Sequence, residues 1–239
     1  MKIAIIGYGR MGHEVEKIAL ERGHEILLII DQNDSEKLTP TALAAVDVAI
    51  EFTTPETAFE NVKKCLEARV PVVSGTTGWN SRMEEIMDYV RTTDGTFFYG
   101  SNFSIGVNLF FYINRILARK LNNAGGYSVE IEETHHTKKK DAPSGTAISL
   151  ANYVANEISE LSGWTLLPER QAGKIPVKAI REGDIPGTHS VLFSSAQDDI
   201  VLTHRAKSRV GFAVGAVLAA EYSVGRKGFL TMDNLLGLE

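Results

Sequence analysis

The chain has 239 residues, 44% of them hydrophobic and 23% charged. That leaves room for one large domain or two small ones around a packed core, and excludes a disordered, collagen-like or coiled-coil chain. The 30 acidic residues outnumber the 25 basic ones for a formal net charge of -5, so no nucleic-acid partner is expected; no apolar run approaches the roughly 18 residues that span a bilayer, so no membrane partner is expected either.

Lys2 to Ile6 is a short apolar run rich in β-branched residues and predicts a strand that ends at Gly7. The chain opens on this strand and not on an export signal, so the cytoplasm is the expected location. Residues Arg10 to Arg22 carry Met11, Val15, Ile18 and Ala19 at helical spacing and stop at Gly23. Further strands are expected over Ile26–Ile30, Val46–Phe52, Val70–Ser74 and Thr96–Tyr99, with helices from about Pro55 and over Arg82–Arg91 between them. Strands that are apolar throughout suit a parallel sheet covered by helices on both faces. The single cysteine, Cys65, excludes an intramolecular disulfide. It shares a helix face with Ala58, Val62 and Leu66 and reads as a buried thiol.

Beyond a junction at Asn102–Val107 the rhythm changes. A long helix over Asn108–Leu121 is followed by a strand over Tyr127–His136 and a helix over Ser144–Ser159. Strands over Val177–Arg181, His189–Ser194 and Ile200–His204 then follow without intervening helices. This half is expected to be α+β on an open mixed sheet. Val210–Val224, rich in Ala, Gly and Val, predicts a buried helix. The expected organisation is an α/β, Rossmann-type doubly wound domain over residues 1–104, a second α+β domain over 105–207, and a segment 208–239 that packs back onto the first. No internal repeat or low-complexity segment is present.

Gly7, Tyr8, Gly9, Arg10, Met11 and Gly12 form a GxGxxG element between a predicted strand and a predicted helix. That is the context in which it signals a dinucleotide. Gly7 permits the tight turn, Gly9 removes a Cβ from the path of a pyrophosphate, and Gly12 permits close packing of helix on sheet. The helix N-terminus then offers N–H groups to phosphate. Asp31, roughly 20 residues on, sits where a ribose hydroxyl acceptor belongs. Its carboxylate opposes a 2′-phosphate and the next residue is Gln32, so NADH is favoured; Arg10 leaves NADPH open.

The stretch Glu133–Thr146 is the most unusual in the chain. Ser144, Gly145 and Thr146 precede a helix and gather N–H groups and hydroxyls into an anion site suited to a carboxylate. His135 and His136 end a strand, where neighbours point to opposite faces, so one of them faces a given pocket and can exchange a proton near neutral pH. Glu130, Glu132 and Glu133 lie close by in sequence, yet no spaced third ligand is evident and no metal is expected.

The run ETHHTKKKDAPSGTA resembles the signature of the dihydrodipicolinate reductase family. GYGRMG, EFTTP, GTTG, SNFSIGVN, REGDIPGTHSV and HRAKSRVGFAVGAVLAA resemble further family segments, in family order and over nearly the whole chain. The resemblance implies NAD(P)H-dependent reduction of 4-hydroxy-tetrahydrodipicolinate, via its unsaturated cyclic imine, to tetrahydrodipicolinate on the route to diaminopimelate and lysine. It implies that His135 is the acid/base histidine, that Lys139 is the catalytic proton-donor lysine, and that His136 with Ser144, Gly145 and Thr146 contacts the dicarboxylate substrate. The expected chemistry has His135 deliver the proton, with Lys139 holding a carboxylate and sharing in proton delivery. Gly75, Thr76, Thr77, Gly100, Ser101, Asn102 and Phe103 would line the nicotinamide side of the cofactor site, and Arg209 is a weaker candidate for an anion contact. It further implies a homotetramer built through the second-domain sheets. The Gly-rich loop is one residue shorter than the form common in the family, which bears on cofactor preference and not on the reaction. A non-catalytic NAD(H)-sensing protein on the same fold is the alternative; it would need the nucleotide fingerprint but not His135, Lys139 and the Ser144–Thr146 element together.

Overall fold

The structure is a computed structural model and describes residues 1–238. In chain order its elements are β1 (Lys2–Ile6), α1 (Arg10–Glu21), β2 (Glu25–Ile30), α2 (Pro40–Leu43), β3 (Val48–Glu51), α3 (Pro55–Glu67), β4 (Val72–Ser74), α4 (Met83–Thr93), β5 (Thr96–Tyr99) and α5 (Ile105–Ala124). There follow β6 (Ser128–His135), α6 (Gly145–Glu157), β7 (Trp164–Leu166), β8 (Ile175–Arg181), β9 (Thr188–Ser194), β10 (Asp199–Arg205), α7 (Val210–Ser223), β11 (Gly228–Leu230) and α8 (Met232–Leu236). They form two compact units, one of Met1–Ile105 with the segment from Val210 on, the other of Gly106–Arg209.

The first unit is built on a six-stranded sheet of order β11-β5-β4-β3-β1-β2, parallel throughout. Alternation along each strand splits its core into two layers. Ala4, Ile6, Ala49, Val72 and Phe97 face α3 and α4, against Phe59, Val62, Leu66, Ile86 and Val90. Ile3, Ile5, Val48, Ile50, Val73 and Phe98 face the other way, against Val15, Ile18 and Ala19 of α1 and Ala213, Ala216 and Val217 of α7. Small residues let α7 approach the chain closely: a Cβ on Gly215 would lie 1.7 Å from the Phe103 carbonyl oxygen. From β1 the chain steps to β2 on one side and then back to β3 on the other. The carboxyl ends of β1 and β3 therefore flank the point where the strand order reverses, the usual ligand crevice of such sheets.

The second unit is a five-stranded mixed sheet of order β10-β9-β6-β8-β7. β10, β9 and β6 pair antiparallel, whereas β6 with β8 and β8 with β7 pair parallel. Val129 and Ile131 of β6, Val177 of β8, and Val191 and Phe193 of β9 bury one face against Phe110 and Ala118 of α5 and Leu150, Ala151 and Val154 of α6. The fold class expected from the sequence, a doubly wound parallel sheet with a second α+β part on an open mixed sheet, is the one observed.

The differences are local. β7 and β11 have no counterpart among the expected strands, because three residues carry no periodicity. β8 begins at Ile175, two residues before the expected strand, because Pro176 masks it: the β6 register starts only at Ile131 opposite Val177, so Pro176 pairs with β7 alone, through Thr165.

Candidate active site

In the first unit the candidate nucleotide site is made of backbone. Gly7 has φ of +92°, and a Cβ there would lie 1.9 Å from the Phe52 carbonyl oxygen, so only glycine fits. A Cβ on Gly12 would lie 2.3 Å from the Gly7 carbonyl oxygen. Gly12 is thus small chiefly for the sake of the loop that precedes its helix, and only secondarily for the sheet. A Cβ on Gly9 would meet nothing within 4 Å. Gly9 also caps α1 without any side-chain hydrogen bond, and the first turn holds no acidic residue. An exposed glycine at an uncapped helix N-terminus makes an anion cradle that fits a pyrophosphate. Arg10 and Asp31 are exposed and Met11 half-buried. Tyr8 donates its hydroxyl to Glu16, and its ring lies tilted by 54° against that of His13, at 4.0 Å between centroids.

The segments expected to line the nicotinamide side are less open than their sequence suggests. A Cβ on Gly75 would lie 2.0 Å from the Phe52 ring, and one on Gly100 would lie 3.1 Å from the Phe103 ring. These glycines make room for aromatic side chains of the same unit. Phe103 is 2% exposed and packs on Phe98 and Phe52, so its ring belongs to the core and is not offered to a ligand. Asn102 accepts from the Ser104 N–H at 2.9 Å. Ser101 and Thr77 are exposed, whereas Thr76 is buried.

Thr76 is engaged by a residue to which the sequence reading gave no role. Glu51, at the end of β3, is fully buried. Its Oε1 accepts from the Thr76 hydroxyl at 2.8 Å, from the Thr53 N–H at 3.0 Å and from the Thr53 hydroxyl; its Oε2 accepts from the Ser74 hydroxyl. Burial pushes this carboxyl up, and the hydrogen bonds offset only part of that rise. Cys65 is buried as expected, and burial raises its thiol far above the range in which a nucleophile works.

In the second unit the candidate site is made of side chains. Alternation along β6 puts Glu133 and His135 on the buried face and leaves His136 off it. Glu133 is fully buried and His135 7% exposed, and Oε2 of Glu133 lies against Nδ1 of His135. Oε1 of Glu133 accepts from Nη2 of Arg181 at 2.9 Å and from the Ser144 N–H at 3.1 Å. These partners hold the carboxyl down at about 2 against the cost of its burial. Glu133 is the antiparallel partner of His189 on β9. The buried His189 ring stands 5.0 Å from that of His135, and its Nε2 is 3.1 Å from Oγ of Ser144. Burial and the neighbouring His135 push His189 down to about 4, so it is neutral at physiological pH.

Ser144 has its polar groups committed inside this network. Its N–H goes to Glu133, and its hydroxyl caps α6 by accepting from the Ala147 N–H at 3.2 Å. The open part of the expected anion site is therefore Gly145, which is exposed, and Thr146 beside it. Lys139 is not a free cation: its Nζ lies 2.9 Å from both carboxylate oxygens of Asp141. His136 donates its backbone N–H to the Ile185 carbonyl at 2.8 Å, and Nη2 of Arg209 lies 3.4 Å from its Nε2.

Gly187 has a specific duty here. A Cβ on it would lie 2.9 Å from Nε2 of His135, so the missing side chain clears the space in front of that nitrogen. Glu133, His135 and His189 also bring three potential ligand atoms within 4.8 Å of one another. The third group absent from the local sequence thus arrives across the sheet, and Arg181 already brings positive charge to the carboxylate at its centre.

The comparisons with known proteins can be set beside this geometry. The family model described as "Dihydrodipicolinate reductase, N-terminus" matches residues 1–103, and "Dihydrodipicolinate reductase, C-terminus" matches residues 106–236.

The chain belongs to the dihydrodipicolinate reductase family.

It is 45% identical over 237 residues to a 4-hydroxy-tetrahydrodipicolinate reductase of Christiangramia forsetii, covering 99% of this chain and 98% of that one. It is 35% identical over 235 residues to the reductase of the same name from Neisseria meningitidis serogroup B, covering 93% of this chain and 84% of that one. A dipicolinate-bound dihydrodipicolinate reductase from Paenisporosarcina sp. TG-14 shares the fold with a TM-score of 0.82 at 23% identity, with 98% of each chain covered. As a member of the dihydrodipicolinate reductase family, the protein is an NAD(P)H-dependent oxidoreductase that uses a pyridine nucleotide. No helix among the described residues is long and apolar enough to cross a membrane.

Proposed function

We propose that the protein reduces 4-hydroxy-tetrahydrodipicolinate, through its unsaturated cyclic imine, to tetrahydrodipicolinate on the route to diaminopimelate and lysine, with NADH favoured and NADPH accepted. One observation carries this reading. A carboxylate lies against Nδ1 of a buried histidine, and the histidine's Nε2 faces a space cleared by Gly187, with the exposed Gly145 at the start of α6. Two relatives that match most of this chain carry the reductase name.

Residues 1–104 with 208–239 are proposed as the nucleotide-binding part and 105–207 as the substrate-binding part. The N–H groups at the start of α1 hold the pyrophosphate across the open Cα of Gly9, and Asp31 accepts from the adenosine ribose. Gln32 brings no cation to a 2′-phosphate, which favours NADH. When bound, the nicotinamide supplies the hydride. Gly145 and Thr146 take one carboxylate of the dianionic ring. Lys139, released from Asp141, takes the other, with His136 alongside. His135 delivers the proton that completes the reduction from Nε2, while Glu133 fixes the ring orientation at Nδ1 and stabilises the imidazolium. The outer face of the second sheet exposes Val201 at 57% beside the half-buried Leu192, which supports assembly into a homotetramer through that face.

The test is oxidation of NADH and of NADPH with substrate generated in situ from pyruvate and aspartate semialdehyde. Activity is expected to depend on the condensed substrate and to run faster with NADH. A His135→Gln variant is expected to lose about 10²–10⁴-fold in turnover with NADH binding intact. Undiminished turnover in a folded His135→Gln variant would reject the assignment.

A further inference from the structure

We propose that Glu51 is a positioning residue for the nicotinamide half of the nucleotide, acting as a buried clamp between the turn after β3 and the turn after β4. The inference rests on the reading that Gly75–Thr77 borders the nicotinamide, and it adds a residue that touches no ligand itself. The geometry is specific. Both carboxylate oxygens are used, and all the donors come from the two turns or the end of β4: Thr53 through N–H and hydroxyl, Thr76 and Ser74 through hydroxyls. The Thr53 N–H is shared with Oγ1 of Thr76 at 2.7 Å, and the Trp79 indole N–H donates to the Thr76 carbonyl at 2.7 Å. Thr76 is therefore held at its hydroxyl and at its carbonyl, and the exposed Thr77 is set by what holds Thr76.

A buried carboxylate without an ion-pair partner among the described residues is costly unless its hydrogen bonds are complete. Here the acceptor sites are filled by donors of the turns it joins. An apolar residue would fill the same core volume at lower cost, so the carboxylate is placed for what it fixes.

The experiment measures binding, not turnover. Equilibrium affinities for NADH and for ADP-ribose, which has no nicotinamide, are compared in the wild-type protein, Glu51→Leu, Thr76→Val and Glu51→Gln. Glu51→Leu is expected to weaken NADH about tenfold or more and ADP-ribose less than twofold. Glu51→Gln can keep the Thr53 and Thr76 donors on its carbonyl and turn its amide to Ser74, and is expected to recover most of the loss. If Glu51→Leu does not fold, Thr76→Val, which removes one clamp hydroxyl, carries the same expectation at smaller size. Equal losses of NADH and ADP-ribose, or unchanged NADH affinity in both clamp variants, would overturn the proposal. A wild-type protein that bound neither ligand would defeat the nucleotide reading itself, and this inference with it.

Discussion

In the first unit the groups proposed to face a nucleotide are backbone: an uncapped helix end, a glycine with open space above it, and two glycines whose neighbours leave no room for a Cβ. In the second unit the chemistry sits on side chains drawn from three strands and a helix end: Glu133 and His135 on β6, Arg181 on β8, His189 on β9 and Ser144 at the start of α6. Backbone sites depend on local sequence, because a turn and the helix after it are contiguous. Side-chain networks depend on register, because a sheet brings together residues far apart in the chain. The two kinds of site should therefore fail differently when single residues are changed.

The largest effect is expected from Gly7→Ala. The positive φ and the 1.9 Å approach to the Phe52 carbonyl oxygen leave no relaxed position for a methyl group. A loss of about 4 kcal/mol or more in unfolding free energy is expected by chemical denaturation. Gly9→Ala, two residues on, is the contrast: stability should stay within about 0.5 kcal/mol of wild type while NADH affinity falls about tenfold. Equal destabilisation by the two substitutions would show that the loop is not built as described.

Acid probes the side-chain site. His189 titrates near 4 when folded against an ordinary value of 6.5, so between those values the unfolded chain binds more protons and folding weakens as pH falls. Full stability from this group is present above 6.5, and about 3 kcal/mol is lost on the way down through 4. Glu133, held at about 2, adds a further loss between 4.5 and 2. A His189→Gln variant should start less stable and show a flatter decline in melting temperature from pH 6.5 to 4. A slope equal to that of wild type would place the acid sensitivity elsewhere.

Glu133→Gln is expected to reduce turnover by about 30-fold with NADH affinity unchanged, because His135 loses the charge at Nδ1 and Arg181 its partner. Steady-state kinetics with separate binding measurements would reveal this split. The smallest effect is expected from Asp141→Asn, where freeing Lys139 should lower the substrate KM about threefold and leave kcat alone.

Much of the molecule was legible in its sequence. The alternation of strands and helices, the fingerprint loop and the buried α7 follow from periodicity and glycine placement, which act locally. Glu133 was within reach of the same reasoning, since it lies two residues before His135 and strands repeat every two residues. His189 and Arg181 were not, because only the pairing of β6 with β9 and β8 brings them to Glu133. Glu51 gave no signal beyond a charged residue ending an apolar strand, and its role depends on hydroxyls of a neighbouring turn. The commitment of Ser144 to the interior was also hidden: sequence marks it as a cap but does not say that its N–H is taken by a carboxylate.

The pairing of Lys139 with Asp141 also bears on selectivity toward solutes that are not substrates. A carboxylate two residues away is present at an effective concentration of roughly millimolar or above, so chloride, acetate and other simple anions meet a lysine whose place is already taken. On the proposed reading, a dianionic ring that reaches Lys139 and the end of α6 together is better placed to displace the resident carboxylate than a monoanion is. On the proposed binding of a dianion by Lys139 and the end of α6, Asp141 is thus a built-in competitor that disfavours monoanions at this lysine.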